Sequence, residues 1–467
     1  MKIQFCGAAR EVTGSSHLIT LDNGYKILLD CGLYQGHDDK MEKFNSHWIY
    51  NPKEIDCMIL SHAHIDHCGR IPMLVRDGFE ENIFCTHATR SLTSIMLLDS
   101  ALIQERDAEY ENKRLRTAGK KQTAEPLYTS KDVDIAMNRF VAYNYNRWFR
   151  ISDNVEVFFT DAGHILGSAT VTLRINENGN ITMLGFTGDI GRPDRPILRN
   201  PVPMPAADYL ICESTYGDRD HLSAPNESAK LLSIIKHTCV EKKGKVIIPA
   251  FSVGRTQELV YMLDRLEHEH SLPHINVYVD SPLAVNATQV FAMHPECFDE
   301  EVHRYMLTDT NPFGFNRLRY VKDVEVSKQL NHSEEPCVII SASGMANAGR
   351  IKHHLYNSVQ NPRNTILIVG YAAPYTPAGE LRSGANSISL FGENLQVLAD
   401  VVIMDSFSAH ADRNEIVAFI ENHKKRLKRL FLVHGQYEAQ QHFGEMLHGH
   451  GFHPVSIPAL GEEEELS

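Results

Sequence analysis

The stretch MILSHAHIDHCGRIP, residues 58–72, decides the reading of this chain. An apolar run ends in Ser61, and His62, His64, Asp66 and His67 follow within one short loop. Packed together without a partner, such groups would be costly to bury. Two imidazoles at i and i+2 can grip one ion, while the adjacent Asp66 and His67, pointing elsewhere, can grip a second. Imidazole and carboxylate suit zinc, with one position left open for water. Two ions need more ligands. His164 in DAGHILGSAT and Asp189 in FTGDIGR both stand at Gly-flanked strand ends. Asp189 can reach both ions through its two oxygens. Asp30 in LLDCG is placed to orient a ligand histidine, although a strand-ending turn residue would look the same.

Around this loop the first 200 residues read as short strands and turns: KIQFCGA, SSHLITL, YKILLDCG, NIFCTH, VEVFFTD and ITMLGF. From about residue 201 the pattern changes to strand, Gly turn, helix, as in KVIIPAFSVGRTQELVYMLDRL and CVIISASGMANAGRIKHHL. That succession predicts a parallel α/β domain with ligand-facing turns at the C-terminal ends of its strands. The tail GEEEELS reads as a disordered acidic stub.

The chain has 467 residues, too many for one ordinary core, with 43% hydrophobic and 22% charged residues. No apolar run approaches the roughly 18–20 residues that cross a membrane. The N-terminal MKIQFCGAAREVTG has no long apolar segment behind its lysine and does not read as a secretory leader. Nine dispersed cysteines without a CxxC pair read as reduced thiols, hence a cytoplasmic location. The net charge of −13 argues against a protein that coats nucleic acid nonspecifically, but leaves room for a local basic groove. The basic run NKRLRTAGKK reads equally as such an approach or as a solvated helix end.

Asp30, His62-x-His64-x-Asp66-His67, His164 and Asp189, in that order and at strand ends, resemble the metallo-β-lactamase superfamily. ICESTYGDRDH, SFSAHADR and LVHGQ look like three markers of its β-CASP nuclease branch, as do IIPAFSVGRTQEL, VDSPLAV and SASGM. The chain resembles the short prokaryotic members of that branch. The resemblance implies an α/β fold: an αβ/βα sandwich with an inserted parallel α/β β-CASP domain. It divides the chain into 1–203, the insertion 204–380, and a C-terminal return 381–467. It further implies that His62, His64 and His164 hold one zinc and that Asp66, His67 and His434 hold the other, with Asp189 between them. His410 would protonate the leaving oxygen, and Glu213 would orient and charge-tune His410. If His434 is a ligand, the C-terminal segment must pack against the N-terminal half. Gln436 stands where the branch usually has Glu.

The function so implied is hydrolysis of single-stranded RNA by a hydroxide bridging two zinc ions, with manganese acceptable to the same donors. Asp66 belongs with the catalytic set as well as with the ligands. Endonuclease and 5′-to-3′ exonuclease modes both remain open, DNA is a second candidate substrate, and a homodimer is a further expectation. Backbone N–H groups at the SASGM and SVGR turns are expected to receive phosphate oxygens, with Ser343, Gly344 and Arg255 as the residues. Two rival readings are a small-molecule metallo-hydrolase of thioesterase or lactamase type and an inactive RNA-processing scaffold.

Overall fold

The computed structural model describes residues 1–36, 39–221, 226–370, 372–404 and 408–466, with the side chains of 39–42 excepted. Ser406 and Phe407, which begin the SFSAHADR block, lie outside the described residues. The chain divides into two compact units: Met1–Asp194 with Arg199–Asp220 and His410–Ser467, and Arg195–Leu198 with His221–Ala409.

The first unit contains two seven-stranded sheets. One comprises β1 (Lys2–Gly7), β2 (Ser16–Thr20), β3 (Lys26–Leu29), β4 (Cys57–Ile59), β5 (Ile83–Thr86), β6 (Phe140–Tyr143) and β22 (Glu463–Glu465), in the order β22-β1-β2-β3-β4-β5-β6. The other comprises β7 (Trp148–Ser152), β8 (Val155–Asp161), β9 (Ala169–Glu177), β10 (Asn180–Phe186), β11 (Tyr209–Glu213), β20 (Arg429–Val433) and β21 (Val455–Ser456), in the order β21-β20-β11-β10-β9-β8-β7.

The period-two pattern of the strands dictates the layers. Ile59 joins Phe5, Ile27 and Leu29 in a core shared with Phe159, Phe186, Ile211, Phe431 and Val433 of the second sheet. Its neighbours Met58 and Leu60 face the other way, onto Leu74, Leu97, Ala101 and Val133 of the outer helices. Leu430 and Leu432 likewise turn from the shared core to Ile416, Ile420, Phe443 and Leu447. Helix, sheet, sheet, helix is the αβ/βα sandwich.

The second unit holds a six-stranded, wholly parallel sheet. Its strands are β12 (Val246–Pro249), β13 (Asn276–Val279), β14 (Leu318–Tyr320), β15 (Cys337–Ser341), β16 (Thr365–Val369) and β19 (Asp400–Met404), in the order β14-β13-β15-β12-β16-β19. A small hairpin, β17 (Ser387–Leu390) with β18 (Glu393–Gln396), completes it. Both edges of the insertion differ from the expected 204 and 380. Tyr209–Glu213 pairs with β10 and β20 inside the sandwich, and Asp400–Met404 pairs with β16 in the inserted sheet.

The acidic tail is not a disordered stub. Glu463–Glu465 forms the edge strand β22 against Lys2–Gln4. Lys2 Nζ meets Glu463 at 2.7 Å, Arg429 meets Glu464 at 2.6 Å, and Leu466 is buried. Basic neighbours therefore offset the acidic run, and one apolar residue anchors it. All nine cysteines are buried free thiols. No helix of the described residues is long and apolar enough to cross a membrane.

Candidate metal centre

β3, β4, β8, β10, β11 and β20 all end on the same side of their sheets, and the loops that follow them carry the chemistry. Asp30 follows β3, His62–His67 follow β4, His164 follows β8, Asp189 follows β10, and His434 follows β20. Asp30 and His434 both take positive φ, 58° and 52°. Asp and His tolerate that region better than most side chains, and such strain gathers at functional sites. The histidine loop is held by backbone bonds: Ser15 N donates to Asp66 O at 2.8 Å, Cys31 N to His67 O at 2.8 Å and Leu33 N to Ile65 O at 3.0 Å. Gly32 makes this approach feasible, since a Cβ there would lie 1.6 Å from Asp66 O.

Two clusters result. His62 Nε2 and His164 Nε2 lie 3.2 and 3.1 Å from His64 Nδ1. Donors about 2.0–2.1 Å from one tetrahedral centre would be about 3.3 Å apart, so these spacings are those of ligands around an ion. The second cluster is Asp66, His67 and His434, with His67 Nε2 to His434 Nε2 at 3.1 Å and Asp66 Oδ2 to His434 Nε2 at 3.4 Å. Asp189 stands between them. Its Oδ2 is 3.3 Å from His62 and 3.4 Å from His164, while its Oδ1 is 3.3 Å from His67 and 3.6 Å from His434.

The surrounding hydrogen bonds select the ring nitrogen that faces inward. Ser61 Oγ donates to Asp30 Oδ2 at 2.9 Å and so accepts from His62 Nδ1 at 3.0 Å. His67 Nδ1 donates to Asp30 Oδ2 at 2.7 Å. Thr215 Oγ1 donates to His434 O and accepts from His434 Nδ1 at 3.0 Å. Each ring is thereby anchored through Nδ1, with Nε2 turned toward the cluster. Ser61 and Thr215 were not among the residues expected from sequence; Ser61 adjoins His62, but Thr215 stands beside Glu213, 219 positions from the His434 ring it contacts. Gln436 is exposed and its side chain makes no cap for the following helix, so Thr215 positions His434.

Electrostatics agree with a cation site. Burial, helped by His62, pushes His64 down to about 3. Burial with the neighbouring His67 lowers His62, and burial with His410 holds His164 well below its usual value. These three rings stay neutral, the ligating form. Burial works to raise Asp66 and Asp189, but the adjacent histidines outweigh it and keep both ionised. Burial works against charge on His67, yet Asp189 and Asp30 outweigh it and draw a proton there. A buried carboxylate oxygen, Asp189 Oδ1, has no hydrogen-bond partner among the described residues. Such an atom is costly unless something positive faces it, and its position beside His67 and His434 suits a metal ion.

Beside this lies His410. Its Nδ1 is 3.2 and 3.3 Å from the two oxygens of Glu213, and its Nε2 is 3.9 Å from Asp189 Oδ2. Glu213 is fully buried and also accepts from Ile190 N at 2.6 Å, while Ala411 N donates to Ile190 O. Burial disfavours charge on His410, but Glu213 and then Asp189 raise it to about 9.

The phosphate candidates belong to the second unit. Arg255 begins a helix after β12, but it is buried and its guanidinium is spent on Glu258. Ser343 Oγ donates to Asn347 Oδ1 at 2.9 Å, and Gly344 is buried beneath Phe251. The SASGM turn does not open directly onto a helix, which begins only at Ile351.

Comparison with known proteins matches three family models in order along the chain. They are a metallo-beta-lactamase superfamily domain at residues 18–184, a Beta-Casp domain at 256–381, and a Zn-dependent metallo-hydrolase RNA specificity domain at 394–458. The chain is 34% identical to ribonuclease TTHA0252 of Thermus thermophilus, over 99% of both chains. It is 30% identical to an RNase J-like protein of Methanocaldococcus jannaschii, over 93% of this chain and 92% of that one. It is 31% identical to transcription termination factor FttA of the same organism, over 93% of this chain and 67% of that one.

Proposed function

The chain belongs to the metallo-β-lactamase superfamily, in the branch that carries a β-CASP domain, and from that premise we propose that it hydrolyses phosphodiester bonds of single-stranded RNA with two divalent ions. His62, His64 and His164 would hold one ion, and Asp66, His67 and His434 the other, with Asp189 offering one oxygen to each. Zinc suits these donors, and manganese is accepted by the same set. Bound there, the pair would lower the pKa of water from about 15.7 toward 7 and neutralise charge on the phosphate.

The chain's own groups supply the rest. Asp30, Ser61 and Thr215 fix the rings so that nothing must reorganise as substrate enters. Glu213 holds His410 by Nδ1 and keeps a proton on the ring. Nε2, the nitrogen nearer Asp189, then delivers a proton to the departing oxygen, a step worth roughly 10²–10⁴ in rate.

The observation that carries this reading is the convergence of Asp66, His67 and His434, although His67 and His434 are 367 positions apart in sequence. The test is incubation of 5′- and 3′-labelled single-stranded RNA, and its DNA counterpart, with and without chelator. Cleavage abolished by chelator and restored by zinc is expected, and the label pattern reads endonuclease against 5′-to-3′ exonuclease action. His410→Ala should slow cleavage at least 10²-fold with unchanged metal content. Metal lost together with activity would remove His410 from the role of acid.

A further inference from the structure

The second unit carries an aromatic ring that its core does not use. Phe251 follows β12, in the middle of the parallel sheet, and is 45% exposed. Single exposed apolar residues are ordinary on protein surfaces. This one is seated. A Cβ on Gly344, in the loop after the neighbouring β15, would lie 2.9 Å from the Phe251 ring, so the ring rests on a position that only glycine leaves room for. The Phe251 carbonyl accepts from Thr256 N at 3.3 Å and Thr256 Oγ1 at 2.8 Å, and Ala250 N donates to Ser341 O. The backbone that presents the ring is therefore held by hydrogen bonds of its own.

The surroundings suit a nucleotide. In open parallel sheets, ligands bind at the carboxyl ends of the strands, where this loop lies. The loop after β16, the strand on the other side of β12, carries Tyr375, 65% exposed. It is tied to the Gly344 loop by Ala373 N to Met345 Sδ at 3.3 Å and Ala378 N to Met345 O at 3.3 Å. Arg382 reaches the same strand end, donating to Gly370 O at 3.2 Å. Two displayed aromatic rings on interlocked loops, with a guanidinium at the same edge, are what sequence-tolerant binding of a single strand uses.

We propose that Phe251 is a base-stacking residue, binding an unpaired nucleobase of the RNA substrate on the carboxyl edge of the second unit's sheet. The proposal rests on RNA being the substrate. Stacking of this kind is worth roughly fivefold to a hundredfold in affinity per base. The test uses the full chain loaded with zinc and four proteins: parent, Phe251→Ser, Phe251→Leu and Phe251→Trp. Hydrolysis of bis(p-nitrophenyl) phosphate, which has no nucleobase, reports the metal centre and the fold. It should be equal in all four. KM for a single-stranded RNA should rise at least fivefold in Phe251→Ser and Phe251→Leu and be restored in Phe251→Trp. Replacing the bases with abasic spacers should erase those differences. Equal KM in all four proteins would overturn the proposal, as would full affinity in Phe251→Leu, which keeps the packing on Gly344 without an aromatic face. If the parent hydrolyses the small diester but not RNA, the ribonuclease reading itself fails, an outcome separate from the other two.

Discussion

The carboxylate of Asp30 receives four donors: His67 Nδ1, Ser61 N, Ser61 Oγ and Ser15 Oγ. Through Ser61 it governs His62 as well, so one buried side chain fixes the orientation of a ring in each cluster. His62, His64, Asp66, His67, His164 and Asp189 stand out in the sequence because spacing and chemistry coincide, whereas His434 came from the family resemblance. Ser61 and Thr215 do not, because a serine before a histidine has many ordinary reasons and Thr215 lies 219 positions from the ring it contacts. Thr215→Val should cost about tenfold or more in affinity for one metal, read by titration against a competing chelator. Unchanged affinity for both ions would assign Thr215 to packing alone. His410 gives the pH dependence. Its proton is present below its pKa, raised to about 9, and is lost as pH rises through that value. Cleavage should therefore fall on the alkaline side. Glu213→Gln removes the nearest negative charge, so that limb should move to lower pH by about one unit or more. A limb that stays in place would mean that another group supplies the proton.

At the scale of elements, strand alternation was legible and strand partnership was not. Met58 and Ile59 announce a strand buried on both faces, and they lie in one. The four glutamates near the C-terminus announce solvation, yet three of them form β22. Their partners, Lys2 and Arg429, are distant in sequence, so no local pattern could reveal the pairing. The magnitudes separate the causes. Leu466 is 5% exposed, and Leu466→Ala should cost about 2–3 kcal/mol. The Lys2–Glu463 pair is 40% and 46% exposed, and Lys2→Ala should cost under about 1 kcal/mol. Urea unfolding midpoints would rank the two variants, and the reverse order would make the edge strand an electrostatic element. The SASGM block follows the strand–turn–helix reading, with a loop that runs to Arg350 before the helix Ile351–Ser358.

For the whole molecule, the order of the motifs along the chain carried the architecture, while the compact second unit runs over His221–Ala409 where an insertion of 204–380 was expected. Pairing to β10 and β16 decides those edges, a tertiary matter. The same long-range pairing joins metal binding to folding. Ions that bind only the assembled centre add about 2.7 kcal/mol at a hundred times their dissociation constant. Chelation should lower the melting temperature by several degrees, and the shift should shrink in His434→Ala. A melting temperature indifferent to chelator in the parent would detach the centre from stability.

The distance in sequence between His67 and His434 also has a meaning in time. A ribosome that adds about 5–20 residues each second takes roughly 20–70 s to travel from one histidine to the other. Throughout that interval the emerging polypeptide lacks a ligand for its second ion. On the ribonuclease reading, the centre has its full ligand set only once His434 has been added to the chain.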